Sequence, residues 1–152
     1  MTSIKHILLP IDFSDCSLRA TEYALAIAAR FHCTLHLLHV IEDPVVYLPA
    51  FESYPLPSHQ HLETYAQDRL ENWISPEDSE GLNLELQWMH GKPFIRIVEY
   101  ARDCQLDLIV IGTHGRGAAA QLIMGSVAEK VVRKSPCPVL TVHPDGHQFV
   151  HP

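Results

Sequence analysis

The chain is short of positive charge. Eleven Lys and Arg stand against 18 Asp and Glu, for a net charge of −7 at pH 7. Nucleic-acid-binding domains carry a basic stripe that neutralises phosphates, so this balance argues against that class. Long apolar runs are also missing; none approaches the ~20 residues of a membrane-spanning helix. The four cysteines, Cys16, Cys33, Cys104 and Cys137, include no CxxC pair. That spacing suits buried thiols in a reducing compartment better than a disulfide framework, and the expected location is the cytoplasm. Gly-Lys-Ser and Gly-Lys-Thr are absent, which removes the P-loop and the kinase or GTPase chemistry built on it.

What is present reads as one α/β domain over 1–144, followed by a flexible tail at 145–152. The opening segment, MTSIKHILLPIDFS, reads as a strand and not as a secretory leader, because Asp12 interrupts it and no small-residue cleavage site follows. IKHILLPI is a buried strand. Ser14 is placed to cap a helix over residues 15–31, whose apolar stripe is Leu18, Thr21, Ala24, Leu25, Ala28 and Phe31. Residues 34–41, TLHLLHVI, form a second buried strand. Prolines at 44, 49, 55 and 57 then exclude regular structure. Tyr47, Phe51 and Tyr54 in the same loop favour a partial lid.

Ser58 is expected to cap a second helix carrying Leu62, Tyr65, Ala66, Leu70, Trp73 and Ile74, with 76–81 as its break. Residues 83–90, NLELQWMH, alternate apolar and polar, the period of a half-exposed strand at a sheet edge. Pro93 opens a third helix with Phe94, Ile97, Val98 and Ala101 inward. A strand at 107–111 and a last helix beginning at Ser126 follow. Lys130, Arg133 and Lys134 sit at that helix's negative end. Residues 139–142 are a fifth strand.

Strict alternation of strand and helix implies a parallel sheet with right-handed crossovers and helices on both faces. Ligands of such sheets bind outside the carboxyl ends of the strands, where the strand order reverses. If the first and fourth strands are neighbours there, Asp12 and Gly112 face one crevice.

The stretch DLIVIGTHGRGAAAQLIMGSV (107–127) carries the chemistry. A buried strand empties into Gly112, Gly115 and Gly117, and Gly125-Ser126 opens a helix. Backbone N–H groups can crowd an anion only where no Cβ blocks the approach, and a helix start adds unpaired donors and a positive dipole end. Gly115 to Ala120 matches G-x-G-x-x-A. A dinucleotide fold needs an acidic residue about 20 positions later, at the end of the next strand, and with that strand ending near Val142 dinucleotide binding is not expected.

The remaining pattern is Gly112-x2-Gly115-x9-Gly125-Ser126. Together with ILLPIDFS, LHLLHVIE, HGKP, DLIVIGTHGRG, GSVAEKVV and CPVLTV in that order, it resembles the ATP-binding branch of the universal stress protein family over nearly all of residues 4–143. The resemblance implies a Rossmann-like five-stranded parallel sheet in the order 3-2-1-4-5, with helices on both faces. It implies an adenosine pocket at Pro10, Ile11, Asp12 and Val40. Asp12 would accept from ribose hydroxyls and the Val40 backbone would pair with the adenine edge. Ile111 and Gly112 would floor the sugar, and Gly115, Arg116, Gly125, Ser126 and Val127 would cradle phosphate. His114, inside the same loop, is counted among the nucleotide contacts and not as catalytic. The expected ligand is ATP, AMP or ADP, with Mg2+ or Mn2+ bridging the phosphates because Arg116 offers little charge to offset them. The resemblance also implies a homodimer through Val139–Val142 and a stress-response or signalling role.

Several residues carry a plainer reading. Asp12 could only brace the first helix, Ser126 is an N-cap in either case, and Arg116 could point to solvent. His32, Cys33, His36 and His39 do not suit a metal, since the two strand histidines fall on opposite faces; satisfied imidazoles are expected, and no metal site. A slow ATP hydrolase or another adenylate-handling enzyme on the same sheet is the alternative function. No catalytic residue is assigned, because no general base sits in the loop.

Overall fold

The computed structural model describes residues 3–42, 57–114 and 124–144. Its elements run β1 (His6–Pro10), α1 (Asp15–Phe31), β2 (Thr34–Ile41), α2 (His59–Glu71), α3 (Pro76–Ser79), β3 (Asn83–His90), α4 (Pro93–Asp103), β4 (Leu108–Gly112), α5 (Ser126–Lys134) and β5 (Val139–Val142). The five strands form one sheet in the order β3-β2-β1-β4-β5, with every neighbouring pair parallel. β1 and β4 lie side by side through Ile7–Leu108 and Leu8–Ile109. The switch point is therefore where the alternation argument required it. The expected lid at 44–57 lies, but for its last residue, outside the described residues, and the tail at 145–152 lies wholly outside them.

The sheet separates two cores, and the period of two along each strand assigns side chains to them. Ile7, Leu9, Leu35 and Leu37 pack against Ala20, Ala24 and Ala28 of α1 and Leu70 of α2. Leu8, Leu38 and Ile109 pack against Ile97 and Ala101 of α4 and Ala128 and Val131 of α5. Among the described residues β3 pairs only with β2, and it is half-exposed along its length, as its alternating pattern predicts.

Three local expectations need correction. α1 buries Ser17, Ala20, Thr21, Ala24 and Ala28, while Leu18 is 49% and Phe31 52% exposed. Small side chains on that stripe let the helix sit close on the sheet, and the larger residues are displaced to its flank. The segment after α2 is not a simple break. Ser75 caps α3 by accepting from the Asp78 N–H, with Pro76 in the first turn, so the residues that stop one helix start another. Finally, Gly125 and not Ser126 is the N-cap of α5, and no side chain caps that helix. Ser14 caps α1 and Ser58 caps α2, each by accepting an N–H three residues on.

Candidate nucleotide site

The carboxyl ends of β1, β2 and β4 open into a cavity of about 610 Å3. Its walls are the β1–α1 turn, the end of β2, one side of α2, the first turn of α4, and the start of α5.

The β1–α1 turn is built around Asp12. Its Oδ1 accepts from the Ser14 N–H (3.0 Å), the Ser14 hydroxyl (2.5 Å) and the Ser17 hydroxyl (2.6 Å). The Asp12 N–H in turn donates to Ser17 Oγ at 3.1 Å. The helix-bracing role is real, and Asp12 lines the cavity as well. Phe13 follows in the left-handed region at φ 64°, a costly conformation for a bulky side chain. It is held between the His39 ring (centroids 4.4 Å apart) and the Arg69 guanidinium, 4.4 Å from its centroid. His39 Nδ1 donates to the Ile11 carbonyl at 2.7 Å, tying the end of β2 to this turn.

The opposite wall is the start of α5. The Gly125 N–H donates to the Thr113 carbonyl, and the Thr113 N–H donates to the Val142 carbonyl at 2.9 Å. These bonds seat the helix N-terminus over the ends of β4 and β5. With no side-chain cap, the first-turn N–H groups of α5 carry unused donors and the positive end of the helix dipole. His114 shares a hydrogen bond between its Nδ1 and Thr113 Oγ1 at 2.8 Å, and its ring stands edge-on to His143. His114 Nε2 is the one buried side-chain polar atom without a hydrogen-bond partner among the described residues.

Ten of the twelve predicted site residues line this one cavity: Pro10, Ile11, Asp12, Val40, Ile111, Gly112, His114, Gly125, Ser126 and Val127. Gly115 and Arg116 lie outside the described residues. Sequence reasoning missed Ser17, His39 and Thr113, and it read Leu62 and Tyr65 only as part of the stripe of α2, where both line the cavity. The Asp-x4-Ser spacing that lets Ser17 reach back to Asp12 was a usable signal. The position of α2 was not, since it depends on a crossover from β2.

The histidines of β2 fall on opposite faces. His36 is buried, with its Nε2 3.1 Å from His6 Nδ1 and its Nδ1 3.0 Å from the Tyr100 hydroxyl and 3.3 Å from Glu85. Burial lowers its pKa, partly opposed by Glu85. Burial also pushes the Tyr100 phenol up to about 12, so it stays protonated. Among the described residues no three His, Cys, Asp or Glu side chains converge on a metal position, and no helix is long and apolar enough to cross a membrane.

Comparison with known proteins places this geometry in a family. The profile described as "Universal stress protein family" matches residues 3–143. A universal stress protein of Methanocaldococcus jannaschii is 36% identical over 139 residues, covering 91% of this chain and 81% of the relative. The solved structure of the universal stress protein UspA from Lactobacillus plantarum superposes with a TM-score of 0.76 at 26% identity, covering 93% of this chain and 99% of that one. A universal stress protein solved in complex with cAMP superposes with a TM-score of 0.62 at 26% identity, covering 94% of this chain and 99% of the other.

Proposed function

The chain belongs to the universal stress protein family, and on that premise we propose that it binds an adenine nucleotide as a stress-response or signalling module. The carrying observation is the cavity itself. It gathers a carboxylate, an apolar wall and an uncapped helix start within about 610 Å3, a volume suited to a small-molecule site.

The residues divide by chemistry. Asp12 accepts from the ribose hydroxyls, and the backbone at Val40 pairs with the base edge. Ile111 and Gly112 lie under the sugar. Phosphate sits over Gly125, Ser126 and Val127, where α5 supplies N–H donors, with Gly115 and Arg116 completing the cradle. His114 fits the same reading. When Nδ1 accepts the Thr113 hydroxyl proton, Nε2 carries a hydrogen, and a phosphate oxygen is the acceptor it lacks. The described lining contains Asp12 and Glu42 but neither Lys nor Arg. A divalent cation would therefore reside on the phosphate oxygens and offset their charge, not in a cage of protein ligands. ATP and AMP or ADP are all compatible with this arrangement. Hydrolysis, if measured, should be slow, because no general base is assigned. The free thiols agree with a reducing cytoplasm, and the exposed edge at β5 suits pairing with a second copy.

The test is direct. The purified protein is denatured and the released small molecules are identified by mass spectrometry, and the apo form is then melted with and without ATP. An adenine nucleotide near one per chain, or a clear ATP-induced rise in Tm, is expected. Absence of both overturns the reading.

A further inference from the structure

We propose that Tyr65 is the surface on which the base of the bound nucleotide stacks, making it a specificity-determining residue; this rests on the nucleotide reading above. Tyr65 projects from α2 into the cavity wall and is 52% exposed, although it is a large aromatic residue. Leu62, three residues earlier on the same helix face, lines the cavity too.

Tyr65 is held in place by its neighbours. Arg69, one turn further along α2, donates from Nη1 to the Tyr65 hydroxyl at 2.6 Å, and its guanidinium lies 5.5 Å from the Tyr65 ring centroid. The same guanidinium sits over Phe13 at 4.4 Å, and the Phe13 and Tyr65 rings meet edge to face at 6.5 Å. Phe13 is the residue after Asp12. One clasp thus fixes the tyrosine relative to the carboxylate assigned to the ribose. The hydroxyl oxygen already accepts from Arg69, which holds the ring in place, and what Tyr65 offers a base is its π-face. A planar heteroaromatic ring gains from such a face whatever its hydrogen-bonding edge, with purines gaining most through their larger area. Tyr65 thereby joins the Val40 backbone in telling a nucleotide from a base-less sugar phosphate.

Titration calorimetry with AMP and with ribose 5-phosphate on wild type, Tyr65→Ala and Tyr65→Phe tests this. Tyr65→Ala should bind AMP roughly 10-fold more weakly. Tyr65→Phe, which keeps the ring and loses the bond to Arg69, should bind it within about 3-fold of wild type. Ribose 5-phosphate should bind wild type and Tyr65→Ala alike. Unchanged AMP affinity in Tyr65→Ala overturns the proposal, as does an equal loss in Tyr65→Phe or an equal loss for ribose 5-phosphate. If the wild type binds no AMP, the nucleotide reading itself falls and the stacking role with it. Circular dichroism of each variant separates these results from a failure to fold.

Discussion

Gly112 and Cys16 are in contact at a distance that admits no side chain. A Cβ on Gly112 would stand 2.7 Å from Cys16 Sγ and 3.0 Å from both the carbonyl carbon and oxygen of Cys16. The thiol could rotate, but the backbone of α1 cannot. Gly112 → Ala is therefore expected to push α1 away from the end of β4 and lower stability by about 1–3 kcal/mol, as overpacking does. Urea denaturation measures this. An alanine variant as stable as wild type would show that the β4–α1 distance is set by other contacts.

Asp12 carries two roles that separate experimentally. Asp12→Ala removes the acceptor shared by Ser14 and Ser17 and should cost about 1–3 kcal/mol in the ligand-free protein. Asp12→Asn retains an acceptor oxygen for the turn and loses the charge. It should keep most of the stability while weakening ATP binding. Paired denaturation and titration data check the split, and an Asn variant with full ATP affinity would leave Asp12 as a turn residue alone.

His36 sets an acid limit on the fold. Burial lowers its pKa below the ordinary 6.5, so the unfolded chain binds the proton more readily than the native one. The neutral imidazole's contribution is complete above pH 6.5 and is lost as pH falls through the lower native value. His6 on β1, Glu85 on β3 and Tyr100 on α4 face it, and Glu85 moderates the loss. Asp107 adds a second loss at lower pH. Its carboxylate accepts the Lys5 and His6 N–H groups at 2.8 and 2.9 Å, which holds its pKa below 3.8. Thermal melts from pH 7.5 to 4.5 should show Tm falling below about pH 6.5. His36→Leu should flatten the upper part of that fall, and a fall of wild-type steepness in this variant would reassign the proton to another group.

β5 is the strand expected to join two copies. Among the described residues it pairs only with β4, and Leu140 is 37% exposed on it. Leu140→Lys should convert a dimer to a monomer by light scattering at micromolar concentration. A wild-type monomer under those conditions would count against the homodimer.

Gly115→Val is expected to abolish the ATP-induced rise in Tm, because a β-branched side chain would stand where backbone N–H groups must approach phosphate. An undiminished rise would put the cradle elsewhere.

Much of the architecture was determined by the sequence alone. The period-two run at 83–90 marked an edge strand, and the apolar runs at 34–41 and 139–142 marked strands whose bounds coincide with β2 and β5. Ser14 and Ser58 announced the starts of their helices because a hydroxyl cap is a local interaction, legible within four residues. The order of glycines and Asp12 pointed to one crevice. Tertiary structure decided what local pattern cannot carry. Which residues of α1 face inward followed from how closely small side chains let the helix approach the sheet, not from the strength of the apolar stripe. Gly112 lacks a side chain because Cys16, 96 positions earlier, occupies the space. Tyr65, on the same helical stripe as the buried Ala66 and Leu70, stands instead at the cavity wall, clasped by Arg69 and Phe13. Contacts between distant residues have no period to read, and only the packed chain brings them together.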